Sequence, residues 1–520
     1  MRRPLVLLAL LFGTGTAIGL QYPVATVSDW ALLGGLASLW GLAVVLAMLR
    51  RGRLAQMLVL GLVCLLGVFS GRLPRGGTSL AALLPLAPDA RVSATVSGVL
   101  AEVPEGDGAS PLRMLLQVRE VEVSGRRYEV QESVPVLVYG TYRWPPRQWE
   151  HWSFSGTLQY TPEAYRGEWL FVTGVRGSRR ISPPSATLAV WSEQLRRAAA
   201  ETLRVGMAER PDRYGVLHAL LLGYRARLPP DVQQAFRRTG TMHVFAISGL
   251  HVGIICAVLV FAINLLRVPR TCRVLALAPV ILLYAFMTGA RASAVRAGIM
   301  AITYLAAPLF GRRSDSWSAL VLAAMLIVAW RPDQLVDPGF IFSFTAVAGI
   351  LAFVPLADRW LQHHLPLDPF REREKGAGVW AAVFLWVGRL VAVSVAAWVS
   401  TTPLSLYYFG RFAPVALFAN LLVLPLAFLI VVTGCLALVA AATGGMALAL
   451  VFNQANFAYV GLLTGGMGWL ERLPWGYVEN VQVGLPLVVL WYVVLVMVAV
   501  GLRRSAALGE TDAGVFGVGV

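Results

Sequence analysis

Long apolar runs dominate the chain, and two stretches interrupt them. Three runs come first, near residues 4–20, 30–49 and 55–71, each close to the ~20 residues that cross the apolar core of a bilayer. From Arg91 to Pro183 short alternating segments take over: "RVSATVSGVLAEV", "LRMLLQVREVEV", "YEVQESVPVLVYG", "WSFSGTLQY" and "WLFVTGVRG". Period-two alternation with "SG" and "GDG" turns predicts five short strands closing into a small β-barrel. "LAVWSEQLRRAAAETLRVGMAER" then spaces apolar residues for a helix with charges opposite, and "PPDVQQAFRRTG" opens as a helix start does. From His243 the apolar runs return. Spans are predicted near 243–266, 274–289, 292–310, 316–330, 339–357, 378–399, 412–432, 434–452 and 483–502. Residues 453–482 are too polar for a clean span and read as an interfacial or re-entrant helix.

The expected organisation is therefore a three-span membrane region (1–75), an extracytoplasmic barrel of the OB-fold kind (90–183), extracytoplasmic amphipathic helices (186–240), a membrane domain (241–504) and a disordered cytoplasmic tail (505–520). Composition agrees with a polytopic α-helical membrane protein of about 12 spans. The chain is 57% hydrophobic, 14% charged and has a mean hydropathy of +0.67, which would leave a soluble protein with a largely apolar surface. The start, "MRRPLVLLALLFGTGTAIGL", reads as an uncleaved first span rather than a signal peptide, because two more apolar runs follow closely.

The net charge of +16 is almost all arginine, since Lys375 is the only lysine. Clusters at Arg2-Arg3, Arg50-Arg51-Arg53, Arg267/Arg270/Arg273, Arg312-Arg313, Arg371/Arg373/Lys375 and Arg503-Arg504 abut the ends of apolar runs. Cytoplasmic placement of the first puts all of them on that side and residues 72–242 outside, as the positive-inside rule requires. The cysteines, Cys64, Cys256, Cys272 and Cys435, form no CxxC pair, so neither a metal site nor a disulfide framework is expected. There is no GxxxxGK[ST] loop, and the six histidines form neither HExxH nor HxHxDH. ATPase and metal-hydrolase chemistry are not expected, and no cofactor is implied.

"HVFAISGLHVGII", residues 243–255, opens a span with His243, Ser248 and His251 around Gly249. On one helix these polar groups share an arc of about 140°. They either satisfy helix–helix contacts at the interface or line a hydrated interior. An intramembrane serine protease would need a histidine on a different span facing the serine, and the spans after 266 contain none. Other polar intrusions gather at span ends. They are Arg291 and Arg296 in "MTGARASAVRAG", Asp315 in "GRRSDSWSAL", Asp337, Gly339 and Ser343 in "RPDQLVDPGFIFSF", and Asn420 after a two-proline break in "STTPLSLYYFGRFAPVALFANLLVLPL". Together they suggest helix breaks around a water-lined path.

These segments, with "ALLLGYRARLPPDVQQAFRRTGTMHVFAISGLHVGI" and "VDPGFIFSFTAVAGIL", stand in the order seen in the ComEC competence-protein family, which the chain resembles over about 90–505. The resemblance implies an inner-membrane channel passing single-stranded DNA into the cytoplasm during natural transformation. It places Arg238, His243, Ser248, Gly249 and His251 on the pore-region motif and Arg296 on the "VRA" arginine. Asp315 falls on "RRSD", Asp337, Gly339 and Ser343 on "D.GF..SF", and Pro403 and Asn420 on the last motif. Arg238, Arg291 and Arg296 are the candidates for drawing phosphates in. Three departures stand out. The metallo-β-lactamase-like nuclease domain usual in full-length members is not seen, Tyr224 stands where the pattern often has Asp, and Ile341 where it often has Gln. The implied partners are single-stranded DNA, a periplasmic DNA receptor, a separate nuclease, a cytoplasmic helicase or ATPase, single-strand-binding proteins and the lipid bilayer. A permease for small anionic solutes or lipid precursors is the alternative.

Between Arg91 and Pro183 there are 11 Arg against 10 Asp and Glu, a difference of +1, which is not a basic DNA footprint. Tyr142, Trp144, Trp149 and Trp152 are candidates for base stacking, although aromatics serve equally as core or as a membrane-interface belt.

Overall fold

Alternation becomes a barrel because every second side chain from Arg91 onward must leave water together. In the computed structural model, the described residues are 12–14, 16–17, 80, 91–102, 112–140, 142, 146, 150–161, 168–182, 187–207, 211–224, 228–245, 249–265, 267–288, 292–311, 313–364, 377–481 and 483–515. The strands are β1 (Arg91–Glu102), β2 (Leu112–Val123), β3 (Arg126–Tyr139), β4 (His151–Thr161), β5 (Glu168–Gly174) and β6 (Ser178–Ser182). β1 pairs with both β2 and β4, so the order β1-β2-β3-β5-β4 closes on itself. Among the described strands only the β3–β5 pairing is parallel, and β6 pairs with β4. Inside are Val96, Leu100, Leu116, Val136, Phe154, Leu158 and Phe171, the inward members of the alternation. Ser124 and Gly125, at φ 51° and 77°, make the tight turn between β2 and β3. The five expected strands are all present, and β6 is an addition.

The helices are α1 (Thr187–Arg204), α2 (Pro211–Leu222) and α3 (Pro230–Arg238), then, after a 3₁₀ turn at Met242–Phe245, α4 (Gly249–Leu265), α5 (Arg270–Met287), α6 (Ala292–Ala306), α7 (Ser316–Trp330), α8 (Pro338–His364), α9 (Ala377–Phe409), α10 (Ala416–Ala442), α11 (Met446–Glu471) and α12 (Leu485–Val515). Among the described residues, five stretches are long and apolar enough to cross a bilayer: Pro338–His363, Ala381–Phe409, Ala416–Ala442, Met446–Glu471 and Leu485–Leu502. Shorter apolar helices cover His251–Leu265, Cys272–Met287, Ser293–Leu309 and Ser316–Trp330. Large side chains such as Phe261, Leu275, Val451 and Val496 point outward from these helices, the inverse of a soluble surface. This is a polytopic helical membrane protein carrying a β-barrel. The spans expected over 1–75 lie almost wholly outside the described residues; Phe12 packs with Ile327, Val328 and Phe340.

Four expectations are corrected. Residues 453–471 are no interfacial segment but the body of α11, and the preceding break falls at 443–445, not near 433. The polarity that argued against a span is consumed inside the protein. Asn453 Nδ2 donates to the carbonyls of Thr202 and Val205, both at 2.9 Å, and Asn456 pairs with Thr433 at 2.7 Å. The break placed around Pro403 lies further on, since α9 runs through Pro403 to Phe409. The tail begins as helix, α12 continuing to Val515.

The fourth correction concerns residues 186–240, which are not amphipathic helices apart from the bundle. Val216, Leu217, Ala219 and Leu220 of α2 are fully buried and share one core with Ala419, Val423, Ile430 and Val460 of α10 and α11. Leu221 lies so close to Gly434 that a Cβ there would come within 2.2 Å of its Cδ2. α2 thus ends inside the protein, where its last carbonyls need partners. Arg196 Nε donates to Leu222 O at 2.9 Å and Tyr284 Oη to Leu221 O at 3.0 Å.

Asn453→Leu strips the hydrogen-bond donors from two carbonyls at the end of α1. It should lower the stability of the purified protein by about 2 kcal/mol, read as a fall in thermal unfolding temperature. Gln454→Ala, which removes an exposed bond to Gly206 O, should change it by less than about 0.5 kcal/mol.

Candidate functional site

α4, α6 and α8 meet at one arginine. Arg296 projects from α6, is buried, and donates through Nη1 to the main-chain carbonyl of Ser343 on α8. Its guanidinium carbon stands 5.5 Å from the centre of the Phe344 ring. On the other side is Gly249, where a Cβ would meet Nη2 at 2.9 Å. A side chain at 249 would have to push the end of this guanidinium aside. Among the described residues no carboxylate pairs with Arg296, and its Nε has no hydrogen-bond partner. The start of α4 is the positive end of a helix dipole. Two positive features are therefore packed together, with no carboxylate beside them among the described residues, an arrangement that favours an anion.

Three of the residues singled out in the sequence thus converge, Gly249, Arg296 and Ser343, and Ser343 contributes its carbonyl rather than its hydroxyl. His243 and His251 lie within electrostatic range of one another. They do not share one helix face as the spacing predicts, because His243 belongs to the 3₁₀ turn and α4 starts only at Gly249. His243 is exposed, with Nδ1 3.3 Å from Gly240 O, whereas His251 is fully buried. Ser248 and Arg291 lie outside the described residues.

The two aspartates have local duties. Asp315 accepts from Ser318 N at 2.9 Å and Ser318 Oγ at 2.6 Å, capping α7. Asp337 accepts from Phe340 N at 3.1 Å at the start of α8, beside the exposed Gly339. Arg238 ends α3 in an ion pair with Glu471 at 3.2 Å, so its charge is already matched. Pro403 is buried inside α9, and Asn420 is buried on α10 with no partner for Oδ1 among the described residues.

Arg238 belongs to a rim where several connectors meet. Phe412 and Val478 exchange backbone hydrogen bonds of 3.0 and 2.8 Å, tying the α9–α10 connector to the α11–α12 connector. Tyr477 donates to Glu479 on that rim. Burial first, then the bond to Glu479, holds its phenol at about 12. On the barrel, Trp152 is buried, stacked 5.9 Å from Phe154, with Nε1 donating to Glu150 at 2.9 Å. Tyr142 packs edge-on against Trp152 at 5.7 Å. Trp152 is core rather than a stacking platform, Tyr142 is half-buried against it, and Trp144 and Trp149 lie outside the described residues.

The sequence reading missed the polar lining of the core around α2. Arg196 stands 3.7 Å over the ring of Tyr224, the position where a carboxylate was the common pattern, and 3.8 Å from Glu193. Arg213 reaches Phe457 O at 3.4 Å and lies 4.1 Å over the Phe457 ring. Ile341, the other departure, packs in the apolar cluster of Phe340 and Ile327. A charged run in a helix of amphipathic pattern gave no hint that these groups turn inward. Among the described residues, no cluster of His, Cys, Asp or Glu could hold a metal ion.

With this geometry in view, comparison with known proteins assigns the lineage. A family model for the Competence protein family matches residues 220–505, more than half of the chain. The chain belongs to that family. It is 28% identical over 263 residues to ComE operon protein 3 of Bacillus subtilis (strain 168), covering 51% of this chain and 30% of that protein. Over 202 residues it is 27% identical to Competence protein ComA of Neisseria gonorrhoeae, covering 36% and 29% respectively. An uncharacterised protein of Aquifex aeolicus (strain VF5) is 35% identical over 135 residues, 26% of this chain and 32% of the relative. The chain spans about a third of the length of the curated relatives it matches. No solved structure is significantly similar to it.

If Asp315 and Asp337 are caps, Asp315→Ala and Asp337→Ala should each cost about 1 kcal/mol of stability, measured by thermal unfolding. Asp315→Asn and Asp337→Asn, which keep a cap acceptor, should recover most of that loss.

Proposed function

We propose that the chain forms a channel carrying single-stranded DNA across the bacterial inner membrane during natural transformation. The observation that carries this reading is Arg296, a buried cation beside the positive end of α4 with no carboxylate partner among the described residues. Nucleic acid is a chain of phosphate monoanions, each suited to a guanidinium and a helix start together. Charge compensation with few strong contacts lets such a chain move on instead of stopping. Arg291, Ser248 and His243 belong to the same path in this reading, and Asn420 lies on its α10 side. Membership of the Competence protein family supports the assignment.

The barrel, in this reading, is an OB-fold on the outer face, and the closed order with one parallel β3–β5 pairing supports it. Its own core holds Trp152, with Tyr142 half-buried against it, and in this reading the barrel acts as a docking module for a DNA receptor rather than as a stacking surface. A nuclease removes one strand before entry, and a cytoplasmic helicase or ATPase with single-strand-binding proteins draws the other inward.

The test is uptake of labelled duplex DNA, scoring DNase-resistant label in the cytoplasm of a transformable host. Deleting the gene should abolish cytoplasmic label and leave periplasmic label in place. Arg296→Gln at normal membrane levels should reduce it at least about tenfold, as expected for one charge-assisted contact of about 1.5–3 kcal/mol, while the exposed Arg313→Gln should not. Unchanged cytoplasmic label in the deletion strain would overturn the DNA reading and turn attention to small anionic solutes.

A further inference from the structure

α9 runs unbroken from Ala377 to Phe409 although Pro403 lies inside it. Proline has no N–H, so the carbonyl four residues earlier, that of Val399, loses its helical partner, and the ring crowds it. Away from water such a carbonyl needs another donor. α12 supplies one. Trp491 Nε1 donates to Val399 O at 3.1 Å, and Tyr492 Oη donates to Ser400 O at 2.7 Å. The two preceding carbonyls are met from within α9, by Thr401 Oγ1 on Ala397 O at 2.8 Å and Thr402 Oγ1 on Trp398 O at 2.7 Å. Four consecutive carbonyls ahead of Pro403 thus take side-chain donors. Hydroxyls bonded four residues back bend helices, as proline does, so this turn is where α9 yields most readily.

Beyond the proline the same neighbouring chain takes hold again. Phe412 and Val478 exchange backbone hydrogen bonds, and Val481 N donates to Gly410 O at 3.0 Å. Residues 478–492 therefore grip α9 and its connector on both sides of Pro403. Elsewhere on α12, Leu487, Leu490, Val494 and Val496 point outward. Apolar surface alone gives two helices no reason to associate in lipid, so hydrogen bonds and packing locate α12 on its neighbours. The part of α9 held in this way adjoins the candidate site. Tyr408 and Phe409, past the proline, lie 6.0 and 5.6 Å from the Phe342 ring on α8. Ser343, next in sequence to Phe342, offers its carbonyl to Arg296.

We infer that Pro403 gives α9 a flexible joint, and that residues 478–492 are a splint across it, with Trp491 and Tyr492 as the latch. With the latch released, the last two turns of α9 are free to shift against Phe342, beside the Arg296 site. The device belongs to the bundle itself and does not rest on the DNA reading.

The test is backbone amide hydrogen exchange, read by mass spectrometry on the full-length protein in lipid nanodiscs. Combining Trp491→Phe with Tyr492→Phe keeps both six-membered rings and removes both donors. Exchange over residues 401–409 should then rise at least about tenfold, the change expected on losing two such bonds. Adding Pro403→Ala returns an N–H to Val399 O and should reverse most of that rise. Unchanged exchange in the double variant would show that α12 is no latch. A rise that Pro403→Ala fails to reverse would show that α12 had loosened as a whole, with no joint at the proline. Either result overturns the inference, and neither depends on DNA uptake.

Discussion

A backbone carbonyl or a charged side chain away from water must find a partner within the protein, and this constraint organises the whole bundle. α2 stops in the middle of an apolar core, a position that would strand its terminal carbonyls. Arg196 from α1 and Tyr284 from α5 supply the missing donors, and Asn453 does the same for the end of α1. Without such donors each stranded group costs about 1–3 kcal/mol. Broken helices inside a membrane protein are stable only where helices from elsewhere in the sequence provide this service.

How much of this was legible follows from the range of the signals. The five barrel strands follow from period-two alternation, because neighbouring positions on one strand decide which face each side chain takes. Apolar runs located most spans for an equally local reason. α11 was misread because Asn453 and Asn456 look like surface residues until their partners, Thr202, Val205 and Thr433, are brought alongside by the fold. The hairpin was misread for the converse reason. Its charges suggest solvent, and nothing within its own sequence reveals that Arg196 and Arg213 turn inward to carbonyls and aromatic rings.

The candidate site shows the same division. Gly249, Arg296 and Ser343 could each be picked out along the chain, but the convergence of three helices on one guanidinium is a tertiary fact. Asp315 and Asp337 were grouped with them by polarity alone. Their hydrogen bonds, three residues ahead to Ser318 and Phe340, are those of helix caps, a pattern visible in sequence spacing once the helix starts are known.

The paired connectors at the rim have a mechanical consequence. Phe412 and Val478 join the link between α9 and α10 to the link between α11 and α12, while α10 and α11 are already packed along their length. Two hinges that would otherwise bend separately are thereby fused into one. α9, α10, α11 and α12 are bound at this rim as a single block, and α8 is held to it along α9, with Asp358 paired to Arg389 at 2.6 Å.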